Sequence, residues 1–279
     1  MSKPLFMWAG GKSKMIKHYL PHMPDTVDVY SEPFFGGGAM FLHVQETYNP
    51  RESHICDTNP GIIGIYRSVR DHVGEFVSYL RDLDDEFIPL SKPDRKKLYY
   101  EVRQAHAFDY QSWSPVREAA VLYFLMKTGF NGIWQVNKNT GGRFGTPSGL
   151  LNQRTSCFDW SVIDHWNQAL QRTEILCGDW SVCPPGDFTF MDPPYRESFT
   201  TYGTGWGDAE CDALLSAVRS MPGLVFVCNR DDEGGYFNSR VHGMEMHKFP
   251  VTYTAGRRKK TNEGFEAKRA TEVLIIKKG

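Results

Sequence analysis

The sequence predicts an α/β fold in which short buried strands alternate with amphipathic helices. Apolar runs of strand length lie at 27–31, 53–56, 188–191 and 224–228. Between them, apolar residues recur at the spacing of one helix face, which assigns them to the core. Those residues are Ile62, Ile65, Tyr66, Val69, Val73, Phe76, Val77 and Leu80, and further on Cys211, Leu214, Leu215 and Val218.

The composition fits a soluble intracellular protein. Its 279 residues suit one or two domains, and a hydrophobic content of 41% with seven tryptophans and 18 phenylalanines can fill a sizeable core. Neither a signal peptide nor a membrane span is recognised, so a cytoplasmic location is expected. The six cysteines lack CxxC spacing and form no zinc-type cluster with histidine, so they are expected to be reduced and no metal is implied.

A glycine pair followed by a lysine lies near the N-terminus and precedes a short amphipathic helix. A Walker-type phosphate loop would need glycine at position 6, where this chain has Phe6, and it would follow a strand. A phosphate loop of that type is therefore excluded. The segment consists of Trp8, Ala9, Gly10, Gly11 and Lys12.

A candidate nucleotide-binding element follows, in which a strand, a glycine-rich turn and a helix start succeed one another. Phe41 replaces the third glycine of the dinucleotide fingerprint, which disfavours a nicotinamide-binding loop. Asp57 ends the next strand, 21 residues beyond Gly36, where a ribose-binding carboxylate is expected; a helix cap or Asx turn is the alternative. The turn itself contains Glu32, Pro33, Phe34, Gly36 and Gly38.

The motif at 192–195 places a carboxylate, two prolines and an aromatic ring at the end of a buried strand. An adenine amino nitrogen is a weak nucleophile, because its lone pair is delocalised into the ring. Asp192 and the Pro193 carbonyl can each accept a hydrogen bond from the amino group. Pro194 stiffens the turn, and Tyr195 offers a stacking face. A plain loop-breaking turn is the alternative.

Taken together, these segments resemble the Dam-type DNA adenine methyltransferases of bacteria and phages. The resemblance covers most of the chain and implies a Rossmann-like methyltransferase sheet with S-adenosyl-L-methionine as cofactor. It assigns cofactor contacts to the 8–12 segment, the glycine-rich turn, Asp57 and Asp192, and a weaker one to Asp179 near the cofactor's adenine. The catalytic residues it implies are Asp192, Pro193, Pro194 and Tyr195.

A long insertion separates Asp57 from the strand near Ile175, and a second, mainly helical domain is the natural interpretation. We expect 1–60 and 166–279 to form the catalytic domain and 61–165 to recognise the DNA target. Two β-prone stretches at 128–147 flank an Asn-Gly-type turn, which predicts a hairpin that fits the major groove. The DNA-binding residues expected there are Phe130 as a wedge, Asn131 on a displaced base, Ile133 on a base edge, and Gln135, Asn137, Lys138 and Arg143.

Gln135 is a departure from the family pattern. GATC-specific relatives usually carry an arginine that grips guanine at this position. Glutamine pairs with the donor and acceptor edge of adenine, whereas arginine matches the two acceptors of guanine. The expected target therefore contains adenine but is not GATC.

The last 29 residues are basic although the whole chain has a net charge of −1. Eight basic and three acidic residues there give +5, which leaves −6 on the remainder. Two probable strands, around 244–253 and 271–277, predict a closing antiparallel hairpin with a basic tip, placed to bind phosphates. The tip carries Arg257, Arg258, Lys259 and Lys260, for which a solvated surface run is the alternative.

The expected reaction is methyl transfer to the N6 amino group of a flipped adenine in double-stranded DNA. N4-methylation of cytosine is the nearest alternative, and a DNA-binding regulator that holds the cofactor with little turnover is another. Whether one or two subunits engage the target is left open.

Overall fold

A seven-stranded mixed sheet is the centre of the molecule, and the α/β prediction is confirmed. The computed structural model describes residues 3–196, 206–231, 235–253, 259–261, 264–266 and 268–279, and the side chains of 3–196, 206–231, 235–251 and 270–279. The strand order is β3-β2-β1-β4-β5-β9-β6. The strands are β1 Val29–Glu32, β2 Glu52–Asp57, β3 Thr173–Cys177, β4 Phe188–Met191, β5 Leu224–Asp231, β6 Glu245–Tyr253 and β9 Lys268–Lys277, with β7 Lys259–Thr261 and β8 Gly264–Glu266 forming a separate two-stranded ribbon.

Strands β1 to β5 run parallel, and β9 lies antiparallel between β5 and β6. This arrangement agrees with the Rossmann-like sheet and terminal antiparallel hairpin that the resemblance implied. The carboxyl ends of four neighbouring parallel strands consequently meet at one edge, which is where ligands bind in open α/β sheets.

Eight α-helices occur in the described part of the chain. Three of them have proline at their first or second position after a capping side chain: Asn59, Ser91 and Ser114 each accept hydrogen bonds from backbone N–H groups of the first turn. The helices are α1 Ile16–Tyr19, α2 Ala39–Tyr48, α3 Pro60–Asp71, α4 Val73–Phe87, α5 Lys92–Phe108, α6 Pro115–Thr128, α7 Trp160–Ala169 and α8 Asp208–Ser220.

A continuous apolar core joins the sheet to the helices of the predicted insertion. Buried residues of α6, such as Phe124, belong to the same cluster as Phe188 and Phe190 of β4. Helix α3 lies directly against β2 and β3. The sheet and the helices of the insertion therefore share one apolar core, in which each fully buried large side chain contributes roughly 1.5–3 kcal/mol to the stability of the fold. The domain boundaries at 61 and 165 stay a prediction.

The segment 129–148 reverses direction without regular strands. Isolated antiparallel bridges join Gly129 to Ser148 and Val136 to Phe144, and two 3-10 turns, Phe130–Gly132 and Lys138–Thr140, lie between them. The predicted hairpin is thus a ribbon held by single bridges and turns. Among the described residues, none of the helices combines the length and apolar character needed to cross a bilayer.

Candidate active site

The carboxyl edge of the parallel strands gathers the predicted site residues. The glycine-rich turn follows β1, Asp57 ends β2, Asp179 follows β3 and Asp192 follows β4. Backbone hydrogen bonds tie these turns together: Phe35 N–H donates to the Cys56 carbonyl at 3.0 Å, and Gly178 N–H donates to the Asp57 carbonyl at 3.1 Å. Residues distant in sequence therefore lie together along this carboxyl edge of the sheet. We call the turns that follow β1, β2, β3 and β4 the rim.

Lys12 forms a salt bridge with Asp192 at the centre of this rim. The Lys12 Nζ lies 2.6 Å from Oδ1 and 2.7 Å from Oδ2 of Asp192, and it also donates to the Gly10 carbonyl at 2.9 Å. The two side chains are 4% and 21% exposed. The motif at 8–12 and the motif at 192–195 thus form one ion pair across the sheet edge.

The Lys12–Asp192 ion pair stays charged although burial disfavours both charges. Burial tends to lower the pKa of Lys12, but attraction to Asp192, together with smaller contributions from Cys228 and Glu272, outweighs it and the Lys12 pKa is raised. Burial raises the pKa of Asp192, and the Lys12 ammonium counteracts part of that rise. Lys12 therefore stabilises the ionised carboxylate, which accepts hydrogen bonds and donates none.

Asp57 connects the glycine-rich turn to the start of α3. Its Oδ2 accepts from Gly36 N–H at 2.9 Å and its Oδ1 from Asn59 N–H at 2.9 Å, so the Asx turn considered as an alternative is present. Asn59, rather than Asp57, caps the helix. Burial raises the Asp57 pKa, while these backbone N–H groups act to lower it. Each carboxylate oxygen can accept a second hydrogen bond, so the Asx turn and ribose binding are compatible.

The indole of Trp8 covers the glycine-rich turn. A Cβ added at Gly36, whose φ is +49°, would lie 2.7 Å from Trp8 Nε1. Gly38 is the N-cap of α2 and has a φ of +61°, and a Cβ there would lie 2.7 Å from both the Phe35 and Trp166 rings. Both positions therefore need glycine, for backbone conformation and for space.

Three aromatic rings lie together at the rim. Phe34 lies 6.4 Å from Trp180 in a stacked arrangement and 5.5 Å from Trp206 edge-on, measured between ring centroids. Asp179 is exposed beside them, and its Oδ1 accepts from Ser181 N–H at 3.1 Å, as in the turn alternative. Neither Trp180 nor Trp206 was expected to contact the cofactor; aromatic residues next to Gly-Asp and before α8 were the available signal.

Glu32 lies beneath the rim rather than on it. It is 3% exposed and accepts from the Tyr30 hydroxyl at 2.8 Å. Burial raises its pKa well above the usual range, which favours the protonated carboxyl group. A contact from its side chain to a cofactor remains a prediction.

Tyr195 is anchored by a residue that the sequence did not single out. Its hydroxyl lies 2.7 Å and 2.8 Å from the two carboxylate oxygens of Glu272, on β9. Pro193 is buried, and Pro194 is half-buried. A lone acidic residue in the apolar run 271–276 was the signal that could have identified Glu272.

The recognition segment presents several of its predicted DNA contacts to solvent. Phe130 is 45% exposed, Ile133 is 42% exposed, and Asn131 and Gln135 are exposed as well. Between them, Trp134 turns inward and its ring lies 5.9 Å from that of Trp8. The ribbon is therefore packed onto the segment that covers the glycine-rich turn.

Other predicted DNA contacts are engaged within the protein. Asn137 caps a 3-10 turn through Thr140 N–H and donates to the Gly145 carbonyl at 3.0 Å. Arg143 pairs with Glu118, and its guanidinium carbon lies 3.5 Å from the centre of the Tyr110 ring. Lys138 is exposed. Arg257 and Arg258 lie outside the described residues, and Lys259 and Lys260 belong to β7 without described side chains.

No cluster of three or more histidine, cysteine, aspartate or glutamate side chains suited to a metal ion occurs in the part of the chain that the structure describes.

Comparison with known proteins supports the interpretation of this rim. The family profile of the D12 class N6 adenine-specific DNA methyltransferases matches residues 8–229. A type II methyltransferase of Methanocaldococcus jannaschii, M.MjaIII, is 31% identical over 214 residues, which is 72% of this chain and 73% of that protein.

Two further relatives extend over almost the whole chain. A type II methyltransferase of Lactococcus lactis subsp. cremoris is 25% identical and covers 99% of this chain and 96% of its own. The DNA adenine methylase of Escherichia coli K12 is 25% identical and covers 94% of each chain. The protein therefore belongs to the D12 class of N6 adenine-specific DNA methyltransferases and is a DNA adenine methyltransferase.

Proposed function

We propose that this adenine methyltransferase uses S-adenosyl-L-methionine to methylate a flipped adenine in a double-stranded DNA site other than GATC. The observation that carries the proposal is the Lys12–Asp192 ion pair, with its 2.6 Å separation, next to the Tyr195 ring at the carboxyl edge of β4. Use of S-adenosyl-L-methionine is also what membership of the family implies.

The residues of the rim fit the proposed cofactor. Asp57 has spare lone pairs for ribose hydroxyls, and the rings of Phe34, Trp180 and Trp206 form an apolar wall suited to a purine. Glycines 36 and 38 keep the turn free of side chains. When bound, the cofactor supplies a methyl group activated by a positively charged sulfur. The other predicted contacts are Trp8, the 9–12 segment and Asp179.

Asp192 and the Pro193 carbonyl would each accept a hydrogen bond from one N–H of the adenine amino group. This role requires an ionised carboxylate, because a protonated one would present a donor to the amine. Lys12 favours that state through its ion pair. It also occupies one side of both oxygens, so the amino group must approach from the other side. Orientation of this kind supplies much of the rate in direct displacement, where effective molarities reach about 10⁵–10⁸ M.

Base extrusion would be assisted by the exposed tip of the recognition segment. Flipping costs a few kcal/mol, which insertion of Phe130 and stacking on Tyr195, at roughly 1–3 kcal/mol per base, would offset. The exposed amide of Gln135 is free to meet an adenine edge. We expect Lys138 and the basic segment 257–260 to bind phosphates.

The catalytic assignment is tested by Asp192→Asn, which keeps the shape of the side chain and removes its charge. We expect labelled-methyl transfer to DNA to fall by about 10²-fold or more, as is typical when a positioned group is lost. Asp187→Asn is the matched control. Its carboxylate accepts from Asp28 and Val29 N–H groups at the opposite end of β4, and it should retain activity. Near-normal turnover of Asp192→Asn in a folded protein would remove Asp192 from the mechanism.

The target and the wedge are tested separately. Sequencing that detects methyladenine directly, in DNA from cells expressing the enzyme, should show a motif other than GATC; modification confined to every GATC would refute that expectation. With the motif known, Phe130→Ala should reduce the rise in 2-aminopurine fluorescence at the target position. Phe108→Ala, 52% exposed at the end of α5, serves as control. An unchanged rise for Phe130→Ala would disprove the wedge assignment.

A further inference from the structure

Tyr195 and Glu272 form a contact that neither the motif at 192–195 nor the family assignment explains. The tyrosine follows β4, whereas the glutamate lies 77 residues later on β9. Strand β9 is next to β5 in the sheet, and Glu272 is directly opposite Arg230. The topology therefore brings a carboxylate from the C-terminal strand pair to the proposed stacking residue.

Glu272 is an unusual residue for its place in the sheet. It is 3% exposed, and the next two residues along the strand, Val273 and Leu274, are fully buried apolar side chains. Burying a carboxylate costs several kcal/mol unless it is paired and hydrogen-bonded, and an apolar side chain of similar volume usually serves stability as well or better. The carboxylate at this position calls for a role beyond packing.

The geometry points to such a role. One phenolic hydroxyl donates into a carboxylate whose two oxygens lie almost equally close, at 2.7 Å and 2.8 Å. A hydrogen bond to a charged acceptor is about twice as strong as a neutral one. Because the hydroxyl lies on the long axis of the ring, this bond fixes the direction in which the ring points.

Rotation of the ring about that axis is restricted by two cations. The Lys12 Nζ lies 4.9 Å from the ring centroid, and the Arg230 guanidinium carbon lies 5.9 Å from it. Both are within the range of a cation–π contact. Lys12 also binds Asp192, so the ring, the ammonium and the catalytic carboxylate form one connected group.

We propose that Glu272 is a positioning residue that holds the Tyr195 ring in the orientation on which the flipped adenine stacks. This inference rests on the proposed stacking role of Tyr195. The proposal extends the active site to the terminal antiparallel strands, because the residue that orients the Tyr195 ring lies on β9. The Coulombic influence of Glu272 on Lys12 and Asp192 is a second route of action, which the experiment must separate.

A double-mutant cycle separates these routes. Single-turnover methylation of plasmid DNA from cells without adenine methylation is measured for Tyr195→Phe, Glu272→Gln, Glu272→Ala and the combinations with Tyr195→Phe. Tyr195→Phe keeps the ring and should reduce the rate about 10-fold, which corresponds to about 1.4 kcal/mol. Glu272→Ala should lose a similar factor, and Glu272→Gln, which keeps an acceptor oxygen, should lose less. Cofactor affinity should not change.

The combined variants give the decisive result. If Glu272 acts through the hydroxyl, replacing it in the Tyr195→Phe background should have less than about a twofold further effect, because there is no hydroxyl left to hold. Full additivity would overturn the proposal and leave an electrostatic or structural role. Tyr48→Phe, which loses a hydroxyl bound to the Pro24 carbonyl away from the rim, controls for the loss of one hydroxyl.

A separate variant tests the assumption beneath the proposal. Tyr195→Ala removes the ring and should be much slower than Tyr195→Phe. If Tyr195→Ala is as fast as the wild type, the stacking role itself is wrong and the proposal falls with it. If Tyr195→Ala is slow but Tyr195→Phe is as fast as the wild type, stacking survives and only the role of Glu272 is refuted.

Discussion

Substitution of Lys12 by methionine should destabilise the protein in a way that depends on pH. Methionine has a similar length and no charge, so the change leaves the Asp192 carboxylate buried without its ammonium partner. Removing one member of a buried ion pair costs about 3–5 kcal/mol. Since the Asp192 side chain keeps 21% of its exposure, the lower end of that range is expected near pH 8.

The sign of the pH dependence follows from the direction of the Asp192 shift. Burial already raises the Asp192 pKa in the wild type, and Lys12 opposes that rise. In Lys12→Met the pKa must therefore rise further above its unfolded value. A carboxyl group whose pKa is raised by folding destabilises the fold while ionised, and the penalty disappears as the pH falls through the folded pKa and the group takes up a proton. The loss should be largest at pH 8 and smaller at pH 5.

Urea unfolding of the cofactor-free protein at both pH values measures this loss. Adding Asp192→Asn to Lys12→Met should recover stability at pH 8, because no buried charge is left. Lys17→Met, at an exposed position on α1, is the control. A loss below about 1 kcal/mol, well under the range for a broken buried pair, would refute the reasoning. An equal loss at both pH values, or further destabilisation by Asp192→Asn, would refute it as well.

Two further predictions concern the stability of the fold. His106 makes no hydrogen bond through either ring nitrogen among the described residues, and burial lowers its pKa from 6.5 to about 4. Stability should be full above pH 6.5 and fall by about 2 kcal/mol between pH 7 and pH 5, since the unfolded chain binds the proton more tightly. His106→Gln should remove this part of the pH dependence in urea unfolding, whereas exposed His72→Gln should leave it intact. Gly38→Ala should cost about 2–4 kcal/mol through the left-handed backbone and the two crowded rings, measured by the same method. Gly64→Ala, where an added Cβ meets nothing within 4 Å, should be neutral or slightly stabilising, and an equal loss at both glycines would contradict the packing argument.

Local sequence patterns predicted much of the fold, because the spacing of apolar residues depends on whether a segment is a strand or a helix and on which of its faces is buried. The strand at 188–191 has the predicted bounds, since its apolar run is enclosed by Asp187 and Asp192. The helical spacing from Ile62 to Leu80 runs through a break: α3 ends and α4 begins around His72, whose φ of −137° is not helical. An apolar stripe reports which face is buried, and it continues across a kink when both helices pack on the same core.

Contacts set by topology or by side-chain capping were beyond local patterns. Glu272 reaches Tyr195 because β9 inserts between β5 and β6, an order that no single segment encodes. Asn137 closes a turn by accepting from Thr140 N–H, a capping role that was not foreseen, and its contact with DNA stays a prediction. Arg143 found Glu118 and the Tyr110 ring, on helical elements distant in sequence.

The inward turn of Trp134 has a consequence for how new target preferences arise. Its indole touches Trp8, and the neighbouring Gly132 leaves no room for a side chain, since an added Cβ would lie 2.5 Å from Met7 Cβ. The root of the ribbon is therefore locked to the N-terminal segment, while Ile133 and Gln135 point outward from it. Target preference can therefore change by substitution of the outward side chains one at a time. Transfer of the whole ribbon to another protein would require the N-terminal segment that packs against it to be transferred as well.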